Sequence, residues 1–518
     1  VVETIRQHWR ERLYSDDMIA LVVLLVATLL RVVHLDAIVN NYDEGVYTAS
    51  LRALSQGNVL YGEIYHAQPP LFLYVLLPWF LLFGKTLVAA RLGVVIYALV
   101  GIVAMWWLGR QLGGPRVGLI AAALFAFDPL YLDQSRAVLA EAPALAFAVL
   151  AVAVAATTRQ RQRPYRALLA AALFVVSLGI KFYTLPALLP IVAFVLMPTD
   201  WPVLIATLWH ERRWVTVAEL RLAWRTSKPT IEAFAIGVAT IVVLVLLVIG
   251  SQYRAAWEQM IGLHVAATGS FSDQRGANIA IFLGIGPEYV LIAAGLLAGY
   301  LGFVRRVPVA MIVALWGLAS AIVLAVQTPL FAHHMTLLTA PFALGAALLS
   351  TLAPLPDMRR SFMRLAKPTE MLVLTGMLTI ALLVGLWRSV ALLNNAQRHP
   401  DAAITSAAFD LQVYTLGQPA GLVVTDDQEV AVIADRNVPA ALADTSFVRI
   451  AAGKLTTAQV IAAASNQQVS ALLWFSGRFD RLPGLRDWVV RNFVLVIDYG
   501  DGHGLYLPMH HPTGTPIT

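Results

Sequence analysis

The stretch Asn40-Asn41-Tyr42-Asp43-Glu44-Gly45-Val46-Tyr47 places two adjacent carboxylates directly after the first long apolar segment of the chain. At a membrane–water boundary a carboxylate can take a proton from an acceptor hydroxyl or amine, or hold a divalent cation. Ionisable groups at membrane depth are costly and are functional by default. The plain alternative for Asp43 is a helix cap, since Asp is a good N-cap.

A second cluster, Asp128-Pro129-Leu130-Tyr131-Leu132-Asp133-Gln134-Ser135-Arg136 followed by Glu141, falls on the same face of the membrane. Asp133, Arg136 and Glu141 complete a site with Asp43, or Asp133 and Arg136 simply pair in an interfacial turn. A third, Gly179-Ile180-Lys181-Phe182-Tyr183, sets one lysine between two apolar runs. That lysine either snorkels to the interface or holds an anion such as phosphate. The fourth is Phe331-Ala332-His333-His334. Histidines there suit a metal, a phosphate or a proton relay. Adjacent α-helical residues point about 100° apart, so one metal is expected to take only one of the two. Tyr65, His66 and Gln68 add plausible substrate contacts in the loop between Tyr61 and Pro70. Asp426-Asp427, further on, reads as a strand-ending turn.

These groups need a scaffold, and composition names its class. Of 518 residues 59% are hydrophobic and 13% charged, which is the profile of a polytopic membrane protein. Cysteine is absent, which excludes disulfides and thiolate chemistry. No phosphate-cradling Gly loop and no GxSxG elbow occurs, and nothing points to nucleic acid. The first apolar run is long enough to persist as a helix and lacks a signal-peptide cleavage pattern.

Apolar runs near 17–37, 88–109, 117–133, 140–158, 166–181, 183–198, 231–250, 288–304, 307–326, 331–350 and 370–390 predict about 11 transmembrane helices. Pro70–Gly84 is short and carries Pro78, so it is expected to hug the membrane as a juxtamembrane helix of the first external loop. On that count the basic residues Arg110, Arg116, Arg159, Arg161, Arg163, Arg166, Arg212 and Arg213 share the side of the N-terminus. The positive-inside rule then makes the N-terminus cytoplasmic. The segment 199–230, with Trp201, Trp209, Trp214 and Trp224, is expected to rest at the cytoplasmic interface. The segment 251–287 is expected to be an external loop.

Residues 1–398 thus form a transmembrane domain and 399–518 a small α/β extracytoplasmic domain. In the latter, Val469–Trp474, Phe493–Ile497 and Leu505–Leu507 read as strands. Thr456–Ala464, with Thr456 or Thr457 near its cap, and Leu482–Arg491 read as helices, and Gly500-Asp501-Gly502 as a turn.

The order Tyr42-Asp43-Glu44-Gly45-Val46-Tyr47, Gln56-Gly57-Asn58-Val59-Leu60-Tyr61, Pro69-Pro70-Leu71, then Gly84 and Arg91, resembles the GT-C superfamily of membrane glycosyltransferases. The protein O-mannosyltransferases and lipid A aminoarabinose transferases are its nearest families. The resemblance covers about residues 15–200 and is loose beyond. It implies a polyprenyl-phosphate sugar donor and inverting transfer to a protein, lipid or glycan acceptor on the external face of the plasma membrane. It also implies that Asp43 is the catalytic base, with Glu44 as its acidic neighbour and Glu141 in the second acidic loop. Where the aminoarabinose transferases carry Lys before the proline, this chain has Gln68. The phosphate contact then passes to Lys181, Arg136 or a histidine, and lipid A modification is disfavoured.

Together these readings assign Asp43, Glu44 and Glu141 to catalysis, and Arg136, Lys181, Tyr183, His66, Gln68, His333 and His334 to the donor phosphate or substrate. The sequence names no cofactor. A divalent metal (Mg, Mn or Zn) held by Asp43, Glu141 and Asp133 is the variant left open. The competing class is a transporter of a lipid-linked substrate, which would show inverted repeats and mid-span ionisable residues.

Overall fold

The computed structural model describes residues 2–161, 163–196, 216–270, 275–284, 288–352, 367–398, 401–418 and 420–509. Its first part is helical: α1 (Val2–Val32), α2 (Tyr42–Ser55), α3 (Leu71–Leu82), α4 (Leu87–Gly113), α5 (Pro115–Ala126), α6 (Pro129–Gln134), α7 (Glu141–Arg161), α8 (Pro164–Ile180) and α9 (Leu188–Leu196). Long helices follow at Val217–Ile249, Glu288–Val304, Pro308–Val326 and Lys367–Arg398.

Among the described residues six helices are long and apolar enough to cross a membrane, or seven if one bent pair counts as a single span. Helix length therefore leaves the expected number of 11 open. The expected run 117–133 is broken, because Asp128 caps α6 by accepting the Tyr131 N–H at 2.9 Å and Pro129 opens that helix. The Pro70–Gly84 segment folds as the 12-residue α3 with Pro78 inside. At 1.5 Å per residue that is roughly 18 Å, short of a hydrocarbon core of about 30 Å. Residues 251–270, expected as loop, are a correction. The apolar helix runs on from Trp224 to Gly269 through a π-helical stretch at Glu258–Gly262. Of the Trp-bearing interfacial segment, 199–215 lies outside the described residues, and Trp224 is exposed on the helix that follows.

α7 is deeply buried, packed against α4, α8 and α9. Its buried face is largely alanine, from Ala142 through Ala156. Without a hydrophobic driving force between helices in lipid, small residues that allow close approach hold such a bundle together. Gly109 of α4 and Gly118 of α5 make the same point. A Cβ on Gly109 would lie 2.8 Å from the Gly118 Cα.

The C-terminal part carries a four-stranded sheet ordered β1-β2-β4-β3: β1 Leu422–Thr425, β2 Val469–Trp474, β3 Phe493–Gly500 and β4 His503–Pro508. β1 and β2 run parallel, while β4 is antiparallel to both β2 and β3. Side chains alternate between two cores as a period of two demands. Val423, Ala471 and Leu473 join the core shared with the helical bundle, whereas Val424, Leu472 and Trp474 pack under the helices Thr457–Ala464 and Leu485–Asn492. Of the two threonines the sequence offers, Thr456 is the cap, and its hydroxyl and the Gln459 side chain close a capping box. Asp426 accepts the N–H groups of Phe475 (2.7 Å), Ser476 (3.1 Å) and Arg478 (2.9 Å), so it organises a turn. Asp427 caps the helix Gln428–Ile433.

Candidate active site

Asn41, not Asp43, caps α2: its side chain accepts the Glu44 N–H at 3.3 Å. This frees Asp43, and the two first-turn carboxylates suit the helix dipole. Adjacent helical residues diverge by about 100°, and here that separates two jobs. Glu44, expected to share the chemistry, turns away from the site. It is buried, takes a bidentate pair of hydrogen bonds from Arg91 (2.8 and 2.6 Å) and accepts the Val138 N–H at 2.7 Å. Arg91 also donates to the Leu35 and Ala37 carbonyls, so this pair staples the loop before α2 to α4. Arg136, expected on a phosphate, is likewise occupied elsewhere. Its guanidinium donates to the Leu30 (2.6 Å) and His34 (3.0 Å) carbonyls at the end of α1, as a basic group at a helix C-terminus does.

Asp43 faces a cavity of about 760 Å³. Asp133, Lys181, Tyr183, His66, Gln68, His333 and His334 line the same space, so segments more than 250 residues apart in sequence meet there. Beside it, Glu141 at the start of α7 is buried and ion-paired with Lys181, itself buried where α8 ends. His333 Nε2 stands 3.6 Å from Glu141 Oε1 and 3.9 Å from Asp43 Oδ2, bridging the two carboxylates. Lys181 Nζ also lies 5.4 Å from the Tyr183 ring centroid, and that ring meets His334 edge-on.

The Asp43 side chain keeps 44% of its surface open. That opening is into the cavity, so the surrounding protein still raises its pKa above the ordinary carboxylate range by desolvation, offset by His333 and Lys181. His66 is buried against Tyr47, and burial pushes its pKa down to about 3, which keeps it neutral. Its Nε2 has no hydrogen-bond partner.

The histidines differ from expectation. Ala332–Leu338 is a 3₁₀ turn, and the His333 and His334 rings meet edge-on at 4.3 Å. Glu141, His333 and His334 offer one ligand atom each within 4.8 Å of one another. Both histidines thus fall in one cluster, and the carboxylate that joins them is Glu141. Asp133, expected among metal ligands, instead accepts the Gln134 amide at 2.8 Å. Glu141 Oε2 is buried with no hydrogen-bond partner, which suits a cation. Tetrahedral zinc would need the three atoms roughly 3.4 Å apart, so the cluster fits after a small closure.

Several lining residues were not foreseen. His264 comes from the helix mistaken for loop, where Gln259 also locks the 61–66 loop by accepting the His66 N–H and donating to the Tyr61 carbonyl. Asp444, Phe447, Arg478 and Arg481 come from the C-terminal part. Arg478 stacks 3.5 Å over the Tyr42 ring. The signal for them was Arg478 and Arg481 directly after β2, where loops of an α/β sheet gather ligands.

Residues 67–224 match the family model of dolichyl-phosphate-mannose-protein mannosyltransferases. Among solved structures, ArnT from Cupriavidus metallidurans bound to undecaprenyl phosphate superposes with a TM-score of 0.59 at 14% identity, covering 96% of this chain and 98% of that one. The chain has the GT-C fold. The archaeal oligosaccharyltransferase AglB from Archaeoglobus fulgidus, in complex with an inhibitory peptide and a dolichol-phosphate, gives 0.52 at 13% identity, over 97% of this chain and 75% of that one. No curated protein matches the sequence. The chain is a multi-pass membrane protein resembling the O-mannosyltransferases and ArnT.

Proposed function

We propose that this protein is an inverting glycosyltransferase that moves a sugar from a polyprenyl-phosphate donor to a protein, lipid or glycan acceptor. The reaction belongs to the external face of the plasma membrane, with a cytoplasmic N-terminus and residues 399–518 outside. The observation that carries this reading is the convergence of Asp43, Lys181 and His333 on one cavity within a GT-C fold, with Glu141 beside it against Lys181 and His333. ArnT holds undecaprenyl phosphate and AglB a dolichol-phosphate, which favours a lipid-phosphate donor over transport.

In this reading Asp43 takes the proton of the acceptor hydroxyl or amine, whose freed electron pair attacks the anomeric carbon. The bond from that carbon to the donor phosphate breaks, and the phosphate oxygen leaves with the electron pair. Lys181 neutralises it, and the histidines can donate hydrogen bonds to it. The raised pKa of Asp43 strengthens it as a base near neutrality. When bound at Glu141, His333 and His334, a divalent cation would add charge stabilisation for the leaving phosphate.

The test uses the purified full chain in nanodiscs with a panel of undecaprenyl-phosphate pentoses and hexoses, with cell-envelope fractions as acceptor. Undecaprenyl phosphate is expected to be released by wild type and not by Asp43→Asn. Release equal in both, or no binding of undecaprenyl phosphate at all, would overturn the proposal.

A further inference from the structure

α2 is gripped along its length by the C-terminal domain. Glu429 Oε2 accepts the N–H of Asn41, the residue that caps α2, at 2.8 Å. The Tyr42 hydroxyl accepts the Thr445 N–H at 2.9 Å. At the far end Arg52 pairs with Asp435 at 2.7 Å and donates to the Arg436 carbonyl at 3.1 Å. Between these points the two backbones touch: a Cβ on Gly45 would sit 2.3 Å from the Glu429 nitrogen. Any side chain at position 45 would push the helices apart.

We infer that the C-terminal domain positions the reactive carboxylate, with Glu429 and Gly45 as its positioning residues: Glu429 fixes the cap two residues before Asp43, and Gly45 admits the contact two residues after it. Among the described residues the Asp43 side chain makes no hydrogen bond that would fix α2, His333 standing 3.9 Å away, so its place in the cavity is set by the docking of the helix that carries it. The inference rests on the proposed glycosyltransferase reading for its kinetic consequence, but not for its geometry. Burial pushes the pKa of Glu429 up to about 8, so at neutral pH it is largely a neutral carboxyl that accepts through oxygen, which Gln can imitate.

The experiment exploits the absence of cysteine. A nitroxide on Asp43→Cys in the full chain reports the order of α2 by its spectral mobility. Glu429→Leu is expected to loosen the label, and Glu429→Gln to leave it as in wild type. With Asp43 intact, Glu429→Leu should lower kcat for sugar transfer on the order of ten- to a hundredfold, as misplacement of a reacting group does. Its affinity for undecaprenyl phosphate should stay unchanged, and Glu429→Gln should restore kcat. Gly45→Ala should behave like Glu429→Leu, and the Glu429 pair decides the matter if Gly45→Ala does not fold. An unmoved label in Glu429→Leu, or a Glu429→Gln label as loose as the leucine variant, overturns the inference. Absence of transfer in wild type would count against the glycosyltransferase reading, and the label experiment would still decide this one.

Discussion

Lys181 and Glu141 form an ion pair closed off from water, each with about 6% of its side chain exposed. Lys181→Met keeps most of the volume and removes the charge. Glu141 is then left in a buried site with its Oε2 already unpartnered, facing the imidazoles of His333 at 3.6 Å and His334. Breaking a buried pair from one side costs about 3–5 kcal/mol, because the surviving charge stays desolvated. Adding Glu141→Gln removes that charge, so the double variant should recover most of the loss, whereas an exposed pair would be worth only about 0–1 kcal/mol from the start. The assay is equilibrium unfolding in mixed micelles for wild type, both single variants and the double variant. Undecaprenyl phosphate is then added to each. It should stabilise wild type by mass action and stabilise the double variant less, since the lysine has gone from the cavity. A Lys181→Met protein within 1 kcal/mol of wild type (roughly the value of an exposed pair) would refute the reasoning. So would a double variant as unstable as Lys181→Met, because the loss would then not come from a stranded carboxylate.

Asp43→Asn should reduce sugar transfer by roughly a hundredfold or more while undecaprenyl phosphate still binds, measured by released lipid phosphate and by thermal stabilisation. Activity should fall as pH drops through the Asp43 pKa, since the base must be ionised. His333→Ala removes a charge that holds that pKa down, so the acid limb of the pH–rate profile should move to higher pH. Glu429 has a folded-state pKa raised to about 8 from an unfolded value near 4.5, so its contribution to stability is lost as pH rises through that window. Glu429→Gln should therefore gain stability relative to wild type between about pH 5 and 8, read from melting temperatures across that range. If a cation sits on Glu141, His333 and His334, a chelator should slow wild type, zinc or manganese should restore it, and Glu141→Gln should lose both responses.

How much of this was legible in the sequence depended on whether a residue's job was local. The strand Val469–Trp474 and the Thr456 cap follow from alternation and capping chemistry within a few residues, and both appear where the sequence puts them. Asp43, Lys181 and His333 could be picked out because a charge or imidazole at the end of an apolar run has few cheap explanations, and all three line the cavity. Glu44 and Arg136 carried the same signal, but their partners are Arg91 and the backbone at the end of α1, contacts that residue type alone does not reveal. The two histidines were judged by backbone direction alone, which does not show that their rings turn toward each other and meet edge-on at 4.3 Å. The helix over 251–270 was passed over because its polar residues, Gln252, Arg254, Glu258 and Gln259, look like loop when read without the apolar helix that runs into them. The deepest gap is the C-terminal part. Its strands were readable, yet nothing local ties Glu429 to Asn41 across 388 positions. Gly45 was noted only as part of a motif, and the reason for glycine there is the backbone of Glu429. A carboxylate that lines the cavity can thus be found from its own neighbours in sequence, while the parts that hold it in place are found only by asking what touches the helix that carries it.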